Sequence, residues 1–295
     1  MPDQPNGTAA AEAPPFPVEA EVLAVLDALW SAGYGAYLVG GGVRDALLGL
    51  PVTDWDIATD ARPERILRVF PGSSYENRFG TVLARGMEIT TFRRDHRYAD
   101  HRRPDSVTFS SDIFEDLARR DLTINAIAWG RRGPEAAPRL VDPADGRGDL
   151  EARLVRAVGD PNLRFDEDAL RLLRAVRIAA RLDFTIEPVT RAAIVAHAGD
   201  VEWVSEERVG QEIRRMVAAD IPSRAMGLLR DTTVLATVLP ELAALPEPLL
   251  DRTARTLDAV ALAAAPRHER LALASLLGEI GPDAAQATLA RLRVG

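Results

Sequence analysis

The chain of 295 residues is 47% hydrophobic and 27% charged, the composition of a globular protein long enough for two domains. It has no cysteine, so we expect no disulfide and no cysteine-ligated zinc, and we favour a cytoplasmic protein. It has no apolar run of membrane-spanning length, so we expect no membrane association. The net charge of −8 argues against a broad nucleic-acid-binding surface. All 36 basic residues are arginine, however, and arginine can bind phosphate groups locally.

Two different patterns occupy the first 31 residues. Residues 1–17 are rich in proline, alanine and polar side chains and lack the regions of a signal peptide, so we expect a disordered tail. Residues 18–31 place apolar side chains at helical spacing and are followed by Gly33. This pattern predicts an amphipathic helix that packs on a sheet.

Three consecutive glycines separate a short apolar run from a helical pattern. Residues 37–39 predict a buried strand, and residues 43–48 predict a helix that ends at Gly49. A strand that enters a helix through glycines lets backbone N–H groups approach a phosphate. Gly41 and Gly42 are therefore candidate phosphate-binding residues, and Arg44 would add a charge-assisted contact.

Asp54 and Asp56 follow this helix and would project from one face if they lie on a strand. Two such carboxylates suit a two-Mg²⁺ phosphoryl-transfer site, with ions roughly 3.5–4 Å apart. Most D-x-D pairs are instead loop carboxylates or caps, and glycosyltransferases also bind a metal with D-x-D. Residues 80–85 and 88–92 predict a hairpin, on which Glu88 could supply a third carboxylate or be an ordinary exposed strand residue.

The order of these elements resembles the signature G-G-x-V-R-D … D-x-D of the class II tRNA nucleotidyltransferase and bacterial poly(A) polymerase family. The resemblance implies an α+β fold, with a polymerase-β-like nucleotidyltransferase head followed by an all-α neck and body. We place the head at residues 18–150, the neck at 151–220 and the body at 221–295, without the helical tail that relatives use to grip tRNA. Strands first and helices afterwards agree with this order, and we expect no strand after residue 150.

A second resemblance to the family lies in residues 119–128, RRDLTINAIA, which match R-R-D-x-T-x-N-A. The resemblance places Arg120, Asp121 and Asn125 near the triphosphate and ribose. Asp121 and Asn125 would share a face if this segment is helical, although an acidic residue at a helix start is the ordinary alternative. Upstream, residues 93–104 predict a mobile loop, in which Asp100 and Arg103 match the D-x-x-R element that relatives need to switch from adding C to adding A.

The helical pattern over residues 163–182 contains Glu167, Asp168 and Arg171, which resemble the family's base-reading motif E-D-x-x-R. In isolation, surface salt bridges would explain these residues. Cytosine and adenine each present an amino donor beside a ring nitrogen acceptor, which suits a carboxylate and a guanidinium. Guanine and uracil present the inverse pattern and could be rejected by factors of about 10⁴.

Further helices are predicted at residues 188–197, 205–219 and 223–231, with weaker ones after 249. Arg174 and Arg177 lie on the basic side of the base-reading helix, and Arg208 lies in a poorly specific family motif. We regard these three as candidate tRNA contacts, although a solvated helix face explains them as well. Residues 276–279 read L-L-G-E where some relatives have the phosphohydrolase motif L-L-H-D, so we expect no phosphohydrolase centre.

The resemblance implies Mg²⁺-dependent, template-independent addition of C and A from CTP and ATP to the 3′ end of tRNA, with release of pyrophosphate. Enzymes that add only A or only CC, and bacterial poly(A) polymerase, remain alternatives, although residues 77–82 look like the tRNA-enzyme version. An inactive RNA-binding protein would need a lost metal carboxylate, and both Asp54 and Asp56 are present. No protein partner is predicted.

Overall fold

The computed structural model describes residues 16–77, 80–96, 106–263 and 269–294. Strands are concentrated in the first half of the chain and helices in the second. The strands are β1 Ala36–Val39, β2 Asp56–Thr59, β3 Ser74–Asn77, β4 Thr81–Ala84, β5 Met87–Thr91, β6 Arg93–His96, β7 Ser106–Phe109, β8 Ala128–Arg131, β9 Arg139–Val141, β10 Leu154–Val155 and β11 Thr185–Ile186. The mixed α+β class predicted from the sequence is confirmed.

The helices of the first half are α1 Ala20–Ser31, α2 Gly41–Leu47, α3 Pro63–Val69, α4 Ile113–Ala118 and α5 Gly146–Glu151. Those of the second half are α6 Pro161–Glu167, α7 Leu170–Leu182, α8 Pro188–Ala196, α9 Glu206–Val217, α10 Pro222–Asp231, α11 Val234–Val238, α12 Pro240–Ala243, α13 Glu247–Ala263, α14 Glu269–Leu277 and α15 Pro282–Arg291. Within the described ranges, no helix is long and apolar enough to cross a membrane.

The main sheet has the strand order β3-β4-β5-β2-β1-β8-β9 among the described residues. Strands β2 and β5 are parallel, and their other neighbours in the sheet pair antiparallel. Because side chains alternate along a strand, β1 sends Leu38 into the core shared with α1 and α3, and Tyr37 and Val39 to the opposite face. On that opposite face, Phe92, which follows β5, and Leu117 of α4 cover part of the sheet.

One apolar cluster runs from beneath the sheet into the helical half. It contains Leu29 of α1 and Ile57 of β2, and it continues through Ile124 to Val176 of α7 and Leu276 of α14. The head therefore rests on the helices through a shared core, and α7 is the helix that lies at this junction.

Three sequence expectations need correction. Phe16, which we assigned to the disordered tail, stacks on Trp129 at 5.1 Å between ring centroids and meets Trp55 edge-on, because these aromatic rings offer it an apolar surface. The helix predicted over residues 163–182 is two helices, α6 and α7. The break is at Asp168, whose backbone is extended and whose Oδ1 accepts a hydrogen bond from the Leu170 N–H at 3.1 Å.

The third correction concerns strands after residue 150, where we expected none. Strands β10 and β11 pair in parallel, Leu154 with Thr185 and Val155 with Ile186. Each has two residues, too few for alternation to be detectable in a sequence. The predicted domain boundaries at residues 150 and 220 stay predictions.

Candidate active site

The glycine turn between β1 and α2 lies beside the two predicted metal carboxylates. Gly40 has a φ of +75°, a conformation that glycine adopts readily. A Cβ at this position would lie 3.3 Å from Arg120 Nη1 and 3.4 Å from Asp56 Oδ2. The Arg120 guanidinium and the Asp56 carboxylate therefore both lie beside the backbone of Gly40. Our sequence analysis did not single out Gly40.

Asp54 and Asp56 flank the buried residue Trp55. The Trp55 indole N–H donates to Glu19 Oε2 at 2.6 Å, and its ring packs against Gly42, where a Cβ would come within 2.8 Å of Trp55 Cε3. Asp56 is the first residue of β2, and both carboxylates are exposed. The absence of a side chain at Gly42 therefore lets α2 lie close to the segment that carries both carboxylates.

The environment of Asp56 is electrostatically mixed. The surrounding protein partly desolvates its carboxyl and raises the pKa above the usual range, the Arg120 guanidinium opposes that rise, and the negative charge of Asp54 adds to it. The two carboxylates are thus close enough to repel each other. A divalent cation would relieve this repulsion.

Glu88 is the register partner of Asp56 in the parallel β2–β5 ladder, so the two side chains project on the same side of the sheet. In the described part of the chain, however, no three His, Asp or Glu side chains are grouped so that they could hold a metal ion. The role of Glu88 as a third metal ligand stays a prediction.

Arg120 has spare hydrogen-bonding capacity. Its Nη2 donates to the buried Asp116 at 3.0 Å, whereas its Nε is buried and has no hydrogen-bond partner among the described residues. Burial raises the pKa of the Asp116 carboxyl, but Arg119 and Arg120 outweigh this effect and hold it below the usual range. Asp116 therefore anchors Arg120 beside Gly40 and Asp56.

Arg44 and the RRDLTIN segment form one buried hydrogen-bonded group. Arg44 Nε donates to Asp45 Oδ1 at 2.8 Å and its Nη1 donates to Asn125 Oδ1 at 2.7 Å. Asn125 Nδ2 in turn donates to Asp121 Oδ1 at 3.1 Å. The structure therefore uses the Arg44 guanidinium inside the head, and its predicted phosphate contact, like that of Gly41, stays a prediction.

Asp121 and Asn125 come together as predicted, but the local structure differs from the expected helix. Thr123–Asn125 form a short 3₁₀ helix, and Asp121 precedes it. The Asp121 Oδ1 accepts from the Leu122 N–H at 2.8 Å as well as from Asn125. This tight turn, and not α-helical spacing, places both side chains on one side.

The predicted base-reading residues lie at the junction of α6 and α7, and each charged group there has a partner. Arg171 Nη1 donates to Glu167 Oε2 at 2.7 Å. Asp168 accepts from Arg208 of α9 through two hydrogen bonds, at 3.2 Å to Oδ1 and 2.7 Å to Oδ2. The bidentate contact fixes the orientation of the Asp168 carboxylate.

The three arginines predicted to contact tRNA each meet an acid in the structure. Arg208 binds Asp168, Arg177 Nε donates to Glu212 Oε2 at 2.6 Å, and Arg174 Nε donates to Asp121 Oδ2 at 2.6 Å. These ion pairs give each arginine a contact within the protein. Their roles in tRNA binding stay predictions.

Two further residues of this region were missed by the sequence analysis. Arg181 Nη2 donates to Asp45 Oδ2 at 2.8 Å, which links the end of α7 to α2. The repeated arginines along α7 were the sequence signal that could have revealed this contact. Because α7 also packs on the head, arginines on its packed side need acidic partners there. The mobile loop predicted over residues 93–104 needs correction at its start, because residues 93–96 form strand β6, which pairs antiparallel with β7. Asp100 and Arg103 of that loop lie outside the described residues.

A mixed sheet carries this pair of carboxylates beside a glycine turn and is followed by a helical half, which is the arrangement of a polymerase-type head joined to helices. Residues 36–156 match the family model described as "Poly A polymerase head domain". Residues 183–245 match the model described as "Probable RNA and SrmB-binding site of polymerase A".

The relatives and a solved structure agree with these models. The CCA-adding enzyme of Geobacillus thermodenitrificans is 43% identical over 235 residues, which is 78% of this chain and 56% of that protein. That of Lacticaseibacillus paracasei is 48% identical over 198 residues, 65% of this chain and 48% of that protein. The crystal structure of the Bacillus stearothermophilus CCA-adding enzyme in complex with CTP superposes with a TM-score of 0.64 and 33% identity, over 95% of this chain and 78% of that one.

The chain belongs to the family of CCA-adding enzymes and poly(A) polymerases. It spans about half the length of the curated relatives described above.

Proposed function

We propose that the chain is a tRNA nucleotidyltransferase that adds C and A to the 3′ end of tRNA, with CTP and ATP as donors. The observation that carries the proposal is the convergence of Asp56 and Arg120 on the Gly40 turn, with the charge of Asp54 acting on Asp56, in a fold similar to an enzyme solved with CTP. In this reaction the tRNA 3′-hydroxyl oxygen forms a bond to the α-phosphorus. The bond to the pyrophosphate group breaks, pyrophosphate leaves, and the hydroxyl loses its proton.

The donor set at Asp54 and Asp56 fits Mg²⁺, because two hard, mutually repelling carboxylates attract a divalent cation. Magnesium sites commonly use one or two carboxylates together with substrate phosphates and water, so a third protein ligand is not required. When bound, Mg²⁺ would neutralise charge that develops on the phosphate oxygens. Glu88 is the nearest candidate for an additional ligand.

The remaining site residues would bind different parts of the nucleotide. Arg120 suits the triphosphate, because its Nε donor has no partner among the described residues. At Gly41 and Gly42 the triphosphate could approach the backbone closely. Asp121 and Asn125 suit the ribose hydroxyls. Asp168 and Arg171 suit the base edge, because Asp168 Oδ2 accepts one hydrogen bond from Arg208 and each carboxylate oxygen has two lone pairs.

The test is incorporation of each nucleotide, supplied separately, into tRNAs that lack the 3′-terminal CCA, end in CC or end in complete CCA. Addition of two C and then a single A supports the proposal. Addition of CC alone or of A alone would identify a specialised enzyme, and many A residues added after CCA would identify a poly(A) polymerase. A cytoplasmic location remains part of the proposal.

Replacement of Asp54 or Asp56 by asparagine should reduce incorporation by at least about a hundredfold while the protein stays folded, because a neutral amide cannot supply the charge that the metal requires. Circular dichroism and thermal melting check the fold, and Asp27→Asn on the exposed face of α1 is the control. Near-normal turnover in either folded variant would rule out this metal site.

A further inference from the structure

Two ion pairs, two helical turns apart along α7, join this helix to the head. Arg174 Nε donates to Asp121 Oδ2 at 2.6 Å, and Arg181 Nη2 donates to Asp45 Oδ2 at 2.8 Å. Both acids are buried, with 9% and 7% of their surface exposed. Since a buried charge without a partner is strongly unfavourable, the two arginines are required by the head as well as by α7.

The two ion pairs are connected through the head. Asp45 Oδ1 accepts from Arg44 Nε, Arg44 Nη1 donates to Asn125 Oδ1, and Asn125 Nδ2 donates to Asp121 Oδ1. The chain of contacts thus runs from Arg181 through the head and back to Arg174. It holds the Asp121 carboxylate from both oxygens, by Asn125 on one and by Arg174 on the other.

We propose that Arg174 is a positioning residue that fixes the Asp121 carboxylate for the ribose 2′-hydroxyl and so sets the preference for ribonucleotides over deoxyribonucleotides. The inference rests on the proposed function, in which Asp121 faces the sugar. A 2′-hydroxyl can donate to a carboxylate and a deoxyribose cannot. A site built to bind a hydroxyl discriminates strongly against the analogue that lacks it, provided that the acceptor is charged and fixed.

The ionisation of Asp121 supports this role. Burial alone would raise the pKa of the Asp121 carboxyl, but Arg174 and Asn125, with a smaller effect of Arg171, hold it well below the usual range. Asp121 therefore stays ionised throughout the working pH range. Removal of Arg174 takes away the largest of the influences that lower this pKa, so the pKa rises and the carboxyl takes up a proton more readily as the pH falls. Once protonated, the carboxyl no longer accepts the same hydrogen bond.

The experiment compares kcat/KM for CTP with that for dCTP, and for CTP with that for UTP, between about pH 5.5 and 8.5. For the wild type we expect both ratios to be independent of pH. For Arg174→Gln the CTP/dCTP ratio should fall about tenfold or more at the acid end and recover as the pH rises. The CTP/UTP ratio should not change. Ratios are used because a pH effect on the machinery shared by both nucleotides cancels.

Arg174→Lys keeps the positive charge and should restore most of the sugar preference. Arg291→Gln is the matched control, because it removes a similarly exposed arginine of α15 that binds Glu241 through two hydrogen bonds and takes no part in the contacts between α7 and the head. An unchanged CTP/dCTP ratio in folded Arg174→Gln would overturn the proposal. An equal fall in both ratios would also overturn it, since Arg174 would then only hold α7 in place.

A measurement without substrate separates this inference from the proposed function. Carboxyl ¹³C NMR of the unliganded protein follows the titration of Asp121 in the wild type and in Arg174→Lys. Titration of Asp121 in the ordinary range in the wild type would contradict the proposal. A wild type that transfers no nucleotide would instead contradict the proposed function, whatever the NMR result.

Discussion

The Asp168 carboxylate serves the fold and the proposed chemistry together. It accepts a hydrogen bond from the Leu170 N–H at the start of α7 and two from the Arg208 guanidinium. A carboxylate held in this way cannot rotate away from a mismatched carbonyl oxygen. In the proposed base reading, this rigidity would add to the discrimination against uracil and guanine that the charge of Asp168 would provide.

Replacement of Asp168 by alanine should reduce selectivity more than overall rate. The amino group of C or A loses its acceptor, whereas the carbonyl of U or G is no longer repelled, so UTP and GTP should become usable. The measured quantity is the kcat/KM ratio of CTP over UTP in the folded variant. We expect the ratio to fall by about two orders of magnitude or more.

This substitution also removes the hydrogen bond that Asp168 Oδ1 accepts from the Leu170 N–H at the start of α7, and this loss needs a control. Asp160, the N-cap of α6, makes the equivalent contact two residues along, with its Oδ1 accepting from the Asn162 N–H at 2.9 Å. Asp160→Ala should cost a comparable 0.5–2 kcal/mol or so of stability and leave the CTP/UTP ratio unchanged. If Asp168→Ala also leaves that ratio unchanged, the assignment of Asp168 to base reading is wrong.

At the scale of elements, the β1–Gly40–α2 connection sets how closely the start of α2, the proposed phosphate-binding backbone, approaches the carboxylates. Gly40→Ala would introduce a strained positive φ and place a methyl group beside both Arg120 and Asp56. Gly49, at the other end of α2, has a φ of +68°, but no described atom lies within 4 Å of the place where its Cβ would be. Alanine at Gly49 would therefore add backbone strain alone, whereas alanine at Gly40 would add both backbone strain and crowding of Arg120 and Asp56.

Both Gly40→Ala and Gly49→Ala should lose about 1 kcal/mol of stability, because alanine tolerates a positive φ poorly. Only Gly40→Ala should also lose catalytic activity, by about tenfold or more, because the methyl group displaces Arg120 or Asp56. Thermal melting and kcat for CMP incorporation test this prediction. Equal activity in the two variants would show that the space at Gly40 is not needed.

Elements with a clear period were predictable from the sequence. Helix α1, the β4–β5 hairpin and helices α8 to α10 lie within a few residues of their predicted positions. The break at Asp168 was not predictable, because the apolar period continues across it and the tertiary contact with Arg208 stabilises the extended residue. The acidic partners of Arg174 and Arg181 were likewise hidden, since Asp121 and Asp45 are 53 and 136 residues away in sequence.

At the scale of the molecule, α9 connects the proposed base-reading residues to the last described helix. It supplies Arg208 to Asp168 and Glu212 to Arg177 of α7. On another side it presents Gly210, where a Cβ would lie 2.1 Å from the Leu292 carbonyl oxygen. The end of α15 therefore rests directly on the backbone of α9, the helix that carries Arg208.

Gly210→Ala should consequently affect both stability and base selection. The methyl group cannot fit without moving α9 away from Leu292, which should cost about 1–3 kcal/mol and lower the melting temperature by several degrees. Because Arg208 moves with α9, the CTP/UTP ratio should fall as well.

Gly227→Ala in α10 is the matched control, since no atom of the described residues lies within 4 Å of its Cβ position. Alanine there should raise stability by about 0.5–1 kcal/mol and leave the ratio alone. A destabilised Gly210→Ala protein with unaltered CTP/UTP selectivity would show that α9 does not relay its position to Asp168.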